Sequence, residues 1–375
     1  MSTIKVNTID NEGGAVDFPN KLTVRGNAIE RTYTSSGTEP SSPSEGDFWY
    51  DTGGDVLKHY INSEFKTISF QAPTVYWYGA RGLYAGGTSG SSNQIEYISV
   101  NISSNATDFG DLTVSRGQIG AASNATRAVW AGGYEYGNSA RSDVMDYVAF
   151  ATTGNATDFG NLTAATSACF HSAVGDGTYG YRTGGIIQSG SGSSPVNNID
   201  KWTQDTAANA SDHGDLSQAR GYAGAACDGT NVVVMGGYIA SSPYRVNTID
   251  TFTAGSASNA TDFGDLTVGR QAGGVGYDTT RAVFAGGWSP SGASNVIDYV
   301  TMASAGNATD FGDISAGEYA SGTTDATLCC FATGSALGAN IHKITIQTLG
   351  NAADTGYDLI TSYSNGAGGT SGNAS

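Results

Sequence analysis

The sequence predicts an all-β protein built as a six-bladed β-propeller, and three observations predict it. First, the phrase Asn-Ala-Thr-Asp-Phe-Gly-Asp-Leu-Thr stands at 105–113 and again at 259–267. Near-copies begin at Asn155, Asn209 and Asn307 and, in worn form, at Asn351, so successive starts differ by 50, 54, 50, 48 and 44 residues. A period in this range marks one supersecondary unit repeated side by side, because a single unit cannot bury its own apolar face. Second, a Gly-Gly pair occupies one slot of each period, at Gly86, Gly132, Gly184, Gly236 and Gly286, with Gly334-Ser335 in the sixth. Third, the segments between are short β-branched and aromatic runs bounded by Gly, Asn, Asp and Ser, with no amphipathic helix pattern. Such runs read as strands, and four short strands in each period make a propeller blade.

One period shows each element. Arg281 to Gly287 is an apolar run closed by the Gly pair, and Trp288 to Ser294 is a polar loop. Asn295 to Met302 is β-branched and aromatic, the repeated phrase follows, and Ala316 to Asp325 is a run of small residues suited to strands crowded around an axis. The ends predict how the ring closes. The first blade opens at its Gly-Gly strand, Tyr76 to Gly87, with no inner strand before it. Asp358-Leu359 and the Gly- and Ser-rich residues to Ser375 align with that missing slot. The C-terminal strand is therefore expected to complete the first blade and leave no open edge.

The pattern resembles the kelch repeat. The strand after each Gly-Gly loop carries an aromatic near an acid, as in Glu96-Tyr97, Asp146-Tyr147, Asp200 with Trp202, Asp250 with Phe252, and Asp298-Tyr299. The resemblance covers about residues 75–375 and implies a kelch-like propeller. It departs at the kelch Trp of the fourth strand, which is Phe109, Phe159, His213, Phe263 and Phe311 here.

Composition narrows the function. Net charge is −17, with Lys+Arg 17 against Asp+Glu 34, which argues against a broad phosphate-binding surface and so against nucleic acid. No Lys/Arg-rich run, apolar stretch of membrane-spanning length or signal-peptide h-region occurs, so neither membrane insertion nor secretion is expected. Cys169, Cys227, Cys329 and Cys330 lack disulfide or zinc spacing and read as buried free thiols. Asn-X-Ser/Thr sequons recur at Asn105, Asn155, Asn209, Asn259 and Asn307; their side chains are expected to bond nearby backbone and shape turns. Asp108 and Asp111 are oxygen ligands of the kind Ca²⁺ prefers, but no dense acidic loop supports a site. No cofactor is expected.

Residues 1–70 lie outside the repeat, giving two domains, 1–70 and 71–375. Ser2 to Ile9 and Lys21 to Ala28 alternate polar and apolar residues. Ser44-Glu-Gly-Asp-Phe-Trp-Tyr-Asp-Thr52 is followed by an apolar strand, Tyr60-Ile61-Asn62, and a closing strand, Phe65 to Ser69. This combination resembles bacteriophage tail-fibre proteins, especially of marine and cyanobacterial phages. The resemblance implies a virion protein assembled in the host cytoplasm, with residues 1–70 joining other tail proteins as an attachment domain. It also implies a homotrimer, which would cover the poor surface-to-volume ratio of so small a β-domain; a small monomeric domain packed on the propeller is the other reading. A head or collar decoration is an equally open location.

Two groups of residues are candidates for binding. The loops after Gly-Gly differ from blade to blade and carry Tyr134, Tyr136, Arg141, Tyr238, Tyr244, Arg245 and Trp288. The turns at the other end, Asp176-Gly-Thr, Asp228-Gly-Thr and Asp278-Thr-Thr, are nearly uniform. Uniform turns read as scaffold and diverse aromatic loops as a face for a host glycan or protein. The second group lies four residues past each Leu or Ile of the phrase: Arg116, Thr166, Arg220, Arg270, Glu318 and Tyr363. Six blades would set these in a ring at the channel mouth, and Arg with Glu and Tyr is similar to the side-chain set of six-bladed sialidases. Three readings stay open there: a glycan hydrolase, a ring for acidic glycans, and structural Arg of the kelch kind. His59, His171, His213 and His342 are scattered, and no nucleophile elbow or phosphate loop occurs, so no catalytic residue and no metal are assigned.

Overall fold

A computed structural model of the chain describes residues 22–24, 27–29, 33–53, 56–67, 79–87, 92–167, 169, 173–189, 192–315, 319–332, 334, 338–361 and 367–373. Every regular element among them is a strand. The chain forms two compact units, Met1–Thr74 and Val75–Ser375. The expected run Ser2 to Ile9 lies outside the described residues, and Lys21 to Ala28 contains parts of two short paired strands, Leu22–Val24 and Asn27–Ile29, rather than one.

The first unit holds one four-stranded sheet in the order Tyr33–Ser36, Phe48–Asp51, Val56–Ile61, Glu64–Thr67. Its first pair is parallel and the others antiparallel. Trp49 is the buried centre; its indole N–H donates to the Ser36 carbonyl at 3.0 Å, and Phe65 meets it edge-on at 5.3 Å. The Lys58 ammonium sits 4.4 Å above the same ring and pairs with Asp51 at 2.9 Å.

The described residues of the second unit form six four-stranded antiparallel sheets. The second is typical: Gly120–Ser123, Arg127–Ala131, Val144–Ala149 and Thr157–Asn161 follow in chain order. The first sheet is assembled from both ends of the unit. Gly368–Gly372 pairs with Arg81–Ala85, so the C-terminal strand fills the slot expected of it. The first strands of successive sheets adjoin one another from Gly120–Ser123 through to Ser321–Thr324, and Gly368–Gly372 lies against both of these. Small residues are required at these contacts: a Cβ on Gly322 would stand 1.9 Å from the Val275 carbonyl oxygen, and one on Gly175 2.2 Å from that of Ser123.

Apolar residues collect between sheets. Leu83, Ile95, Phe109, Trp130 and Phe150 join the first to the second, and Val283, Phe311, Phe331 and Ile344 join the fifth to the sixth. The sixth meets the first through Tyr84, Ile98, Cys330, Ile341 and Leu359. Each such side chain buried contributes about 1.5–3 kcal/mol, and the alternation in every third strand directs one face to each neighbour.

The repeated phrase is a joint between sheets. The Asn155 side-chain oxygen accepts the Asp111 N–H at 3.1 Å, and the Ala156 N–H donates to the Asp111 carbonyl at 2.7 Å. The same pair of bonds recurs at Asn209, Asn259, Asn307 and Asn351. At Asn105 the partner is Asp358, which links the sixth sheet to the first. The expectation that these Asn side chains bond backbone thus holds, and the bond runs to the preceding sheet. The four cysteines are free and buried, as expected; burial pushes the Cys169 thiol up to about 11 and Cys330 to about 12.

Candidate functional site

The arginines expected in a ring at the channel mouth are buried, as the structural reading of the slot requires. Arg116, Arg220 and Arg270 are at most 1% exposed. Their guanidinium groups run into the sheet and pair with Asp146, Asp250 and Asp298 at 2.6, 3.0 and 2.6 Å. Their terminal nitrogens also donate to carbonyls, among them Gly132 for Arg116 at 2.7 Å and Val234 for Arg220 at 3.1 Å, while the buried Nε of each has no partner. Burial pushes the Arg220 and Arg270 guanidinium pKa down and the aspartates counter it; a guanidinium remains charged in either case. The physical reason for the slot is now plain. The phrase-ending Ser217 and Thr267 hydroxyls donate to Asp250 and Asp298 at 2.6 Å, so the exposed phrase end and the buried Arg and Asp form one polar unit. The guanidinium and carboxylate groups themselves are closed to solvent. Thr166, in the same slot of the third sheet, is also buried. There the cation comes instead from the second strand, where Arg182 pairs with Asp200 at 2.5 Å. Glu318 and Tyr363 lie outside the described residues.

The backbone at this slot makes the second kind of joint. The Gly133, Gly185 and Gly237 N–H groups donate to the carbonyls of Thr166, Arg220 and Arg270 at 2.7, 2.9 and 2.8 Å. The preceding glycine must be left-handed and bare: Gly184 has φ 65°, and a Cβ there would stand 2.2 Å from the Arg220 oxygen.

Beyond Gly-Gly the sheets diverge. The residue after the pair bridges the linker into its own sheet, giving Tyr134 with Gly117, Ile186 with Ser167, Tyr238 with Gly221, and Trp288 with Gln271. Tyr134, Tyr238 and Trp288 are therefore the same position in three sheets. Cross-strand partners follow: Tyr134 faces Arg141 in a two-stranded ribbon, and Tyr238 faces Arg245 across an isolated bridge. The structure brings the predicted loop residues into two groups. Tyr134 and Tyr136 meet edge-on at 5.1 Å, and Arg141 reaches the next loop to donate to Gln188 and, at 2.6 Å, to Ser193. Tyr238 and Tyr244 lie nearly parallel at 6.4 Å, and Arg245 stands over the Trp288 ring at 5.9 Å. Tyr244 is 47% exposed, among the most exposed large apolar side chains described.

Sequence reasoning missed the residues that link these groups. Gln118, Tyr222, Ala272 and Tyr319 all have φ between 56° and 61°. The Tyr222 carbonyl accepts the Ala272 N–H at 2.8 Å, and the Ala272 carbonyl accepts the Tyr319 N–H at 3.0 Å. Tyr222 lies 6.5 Å from both Tyr238 and Tyr319, and Gln118 approaches Tyr136 and Tyr222 at 3.5 Å. Burial raises the Tyr222 phenol above its ordinary range, Tyr319 and Tyr136 add to the rise, and Arg141 opposes it. The signal available in the sequence was an aromatic two residues past Arg220, in the linker before the first strand.

The opposite turns are built alike. Asp176, Asp228 and Asp278 each accept two backbone N–H groups within 2.6–2.8 Å through one carboxylate oxygen. Among the described residues no group of three or more His, Cys, Asp or Glu is placed to hold a metal. Comparison of the sequence with protein-family models and with curated proteins gives no match.

Proposed function

We propose that the chain is a virion structural protein of the tail-fibre kind. In this reading the six sheets are the blades of a kelch-like β-propeller closed by the C-terminal strand. Residues 1–70 attach it to other virion proteins as a homotrimer, and the loop face recognises a host-surface glycan or protein. The observation that carries the binding role is the contrast between the two ends of the sheets: Asp turns of one geometry at one end, and aromatic and Arg side chains that differ from sheet to sheet at the other. Diverse loops on a repeated scaffold are where recognition is placed. Closure is supported by the pairing of Gly368–Gly372 with Arg81–Ala85 and by the Asn105–Asp358 bond. Burial of the Arg slots in ion pairs speaks for the structural reading of these residues and against the sialidase-like set. Locating the chain in a density map of the intact particle tests the reading. Threefold copies at the tail support it; density on the head or collar, with no host attachment by the purified chain, replaces it with a decoration protein.

A further inference from the structure

Most arginines of the second unit are committed to structure. Arg116, Arg182, Arg220 and Arg270 pair with buried aspartates. Arg81, Arg127 and Arg281 each donate to a carbonyl of the next sheet, those of Phe150, Gln204 and Ile346, and cover a Tyr ring. Two arginines remain, Arg141 and Arg245, and both lie in loops beyond Gly-Gly. Arg141 spends its terminal nitrogens on Gln188 and Ser193. Arg245 is different. Among the described residues its side chain has neither a carboxylate partner nor a hydrogen bond. Arg81, Arg127, Arg141 and Arg281 also lack a carboxylate partner, but each donates to a carbonyl or side-chain oxygen, which Arg245 does not. It is also held in place: its Cζ stands 5.9 Å over Trp288, and its own strand position is bridged to Tyr238.

We propose that Arg245, backed by Trp288, is the anion-recognition point of the loop face and takes the carboxylate of an acidic saccharide. The inference rests on the reading of that face as a recognition surface. Charge and shape select this ligand. A planar carboxylate matches one guanidinium bidentately, and among the described residues the Arg245 guanidinium has no protein carboxylate to give up for it. The Tyr238, Tyr244 and Trp288 rings beside it offer the apolar faces on which pyranose rings stack. In the free protein the Arg245 side chain donates no bond that must first be broken, so binding costs little rearrangement.

The test is a binding titration of the full chain with oligogalacturonate and oligomannuronate, each beside its carboxyl methyl ester, and with oligoglutamate. The expected result is at least one acid saccharide bound 10-fold or more tighter than its ester and than oligoglutamate. Arg245→Gln should erase the acid-to-ester ratio, Arg245→Lys should keep a fraction of it because an ammonium lacks the planar fork, and Lys343→Gln, which removes a positive charge from a third strand, should leave it unchanged. Melting curves of the variants separate folding from binding. Equal binding of acid and ester, an unchanged ratio in Arg245→Gln, preference for oligoglutamate, or no binding of either acid saccharide would each overturn the proposal. If host cells still bind through Tyr238, Tyr244 and Trp288 in that case, the recognition face survives and only the ligand class falls. If Arg245 selects the acid saccharide but the chain attaches to no host surface, the site stands and the attachment role falls.

Discussion

Arg270 and Arg245 belong to the same pair of neighbouring sheets and have opposite fates. Arg270 lies in a joint, buried, bonded to Asp298 and to backbone carbonyls in a pattern that Arg116 shares almost atom for atom. Arg245 lies in a loop, half-buried, with its guanidinium over the Trp288 ring. The joints repeat because each sheet must meet the next in one geometry, fixed by a bare left-handed glycine, an Asn clamp and a buried ion pair. The loops differ because no neighbouring sheet dictates them. The comparison teaches that an arginine's role here follows from its slot and not from its type. The third sheet confirms it: with Thr166 in the joint, the cation moves to Arg182 and still finds its aspartate.

The joints should fail most severely where the ring of neighbours is cut. Deleting 362–375 removes the strand paired with Arg81–Ala85, the Gly368 carbonyl that accepts the Trp130 indole N–H at 3.0 Å, and the Thr370 hydroxyl bonded to Ser123 at 2.6 Å. The exposed edge and lost packing should give aggregation in light scattering. A soluble deletion variant with unchanged melting would show that the joints do not depend on the C-terminal strand.

A subtler break concerns the slot itself. Arg182→Val leaves Asp200 fully buried without its cation, a change that costs about 3–5 kcal/mol in urea unfolding. Adding Thr166→Arg restores the geometry of the other sheets and should recover more than half of that loss. Failure of the second substitution to rescue would mean that the third sheet is built differently and the slots are not equivalent.

His213 offers a smaller test. It fills the slot of Phe109, Phe159, Phe263 and Phe311, packed against Tyr181 at 5.2 Å and Phe252 at 5.4 Å. Burial, with help from Lys201, lowers its pKa from 6.5. The unfolded chain therefore takes up the proton more readily, and stability falls as pH drops through about 6.5. His213→Phe should raise the melting temperature at pH 5 by more than at pH 8. A gap independent of pH would show that His213 does not titrate on unfolding.

The joints were legible in the sequence because they repeat. The phrase, the Gly-Gly slot and the C-terminal strand were all found by alignment of the chain with itself, and each proved to be a sheet or a contact between sheets. The same repetition left Arg116, Arg220 and Arg270 open between a ring at a channel mouth and structural ion pairs. A recurring charged residue has the same signature whether it lines an opening or fills an ion pair, and the distinction needs the buried third-strand Asp that sits opposite. Arg182 escaped because it breaks the repeat. Tyr222 and Tyr319 escaped because their left-handed backbone, which brings them beside Tyr238, leaves no mark in residue type. Loop residues Tyr134, Tyr238 and Trp288 were found by the converse signal, difference between copies.

The most direct test sets the two ends of the sheets against each other in one attachment assay with host cells. One variant of the full chain carries Tyr238→Ala, Tyr244→Ala and Trp288→Ala; the other carries Thr178→Ala, Thr230→Ala and Thr280→Ala. Both should fold, at a cost of about 2 kcal/mol or less. The loop-face variant should lose attachment 10-fold or more, since a few aromatic anchors carry most of the energy of a recognition surface, and the Thr variant should attach as the parent does. Loss of attachment in the Thr variant with the aromatic variant intact would contradict the assignment of recognition to the loop face.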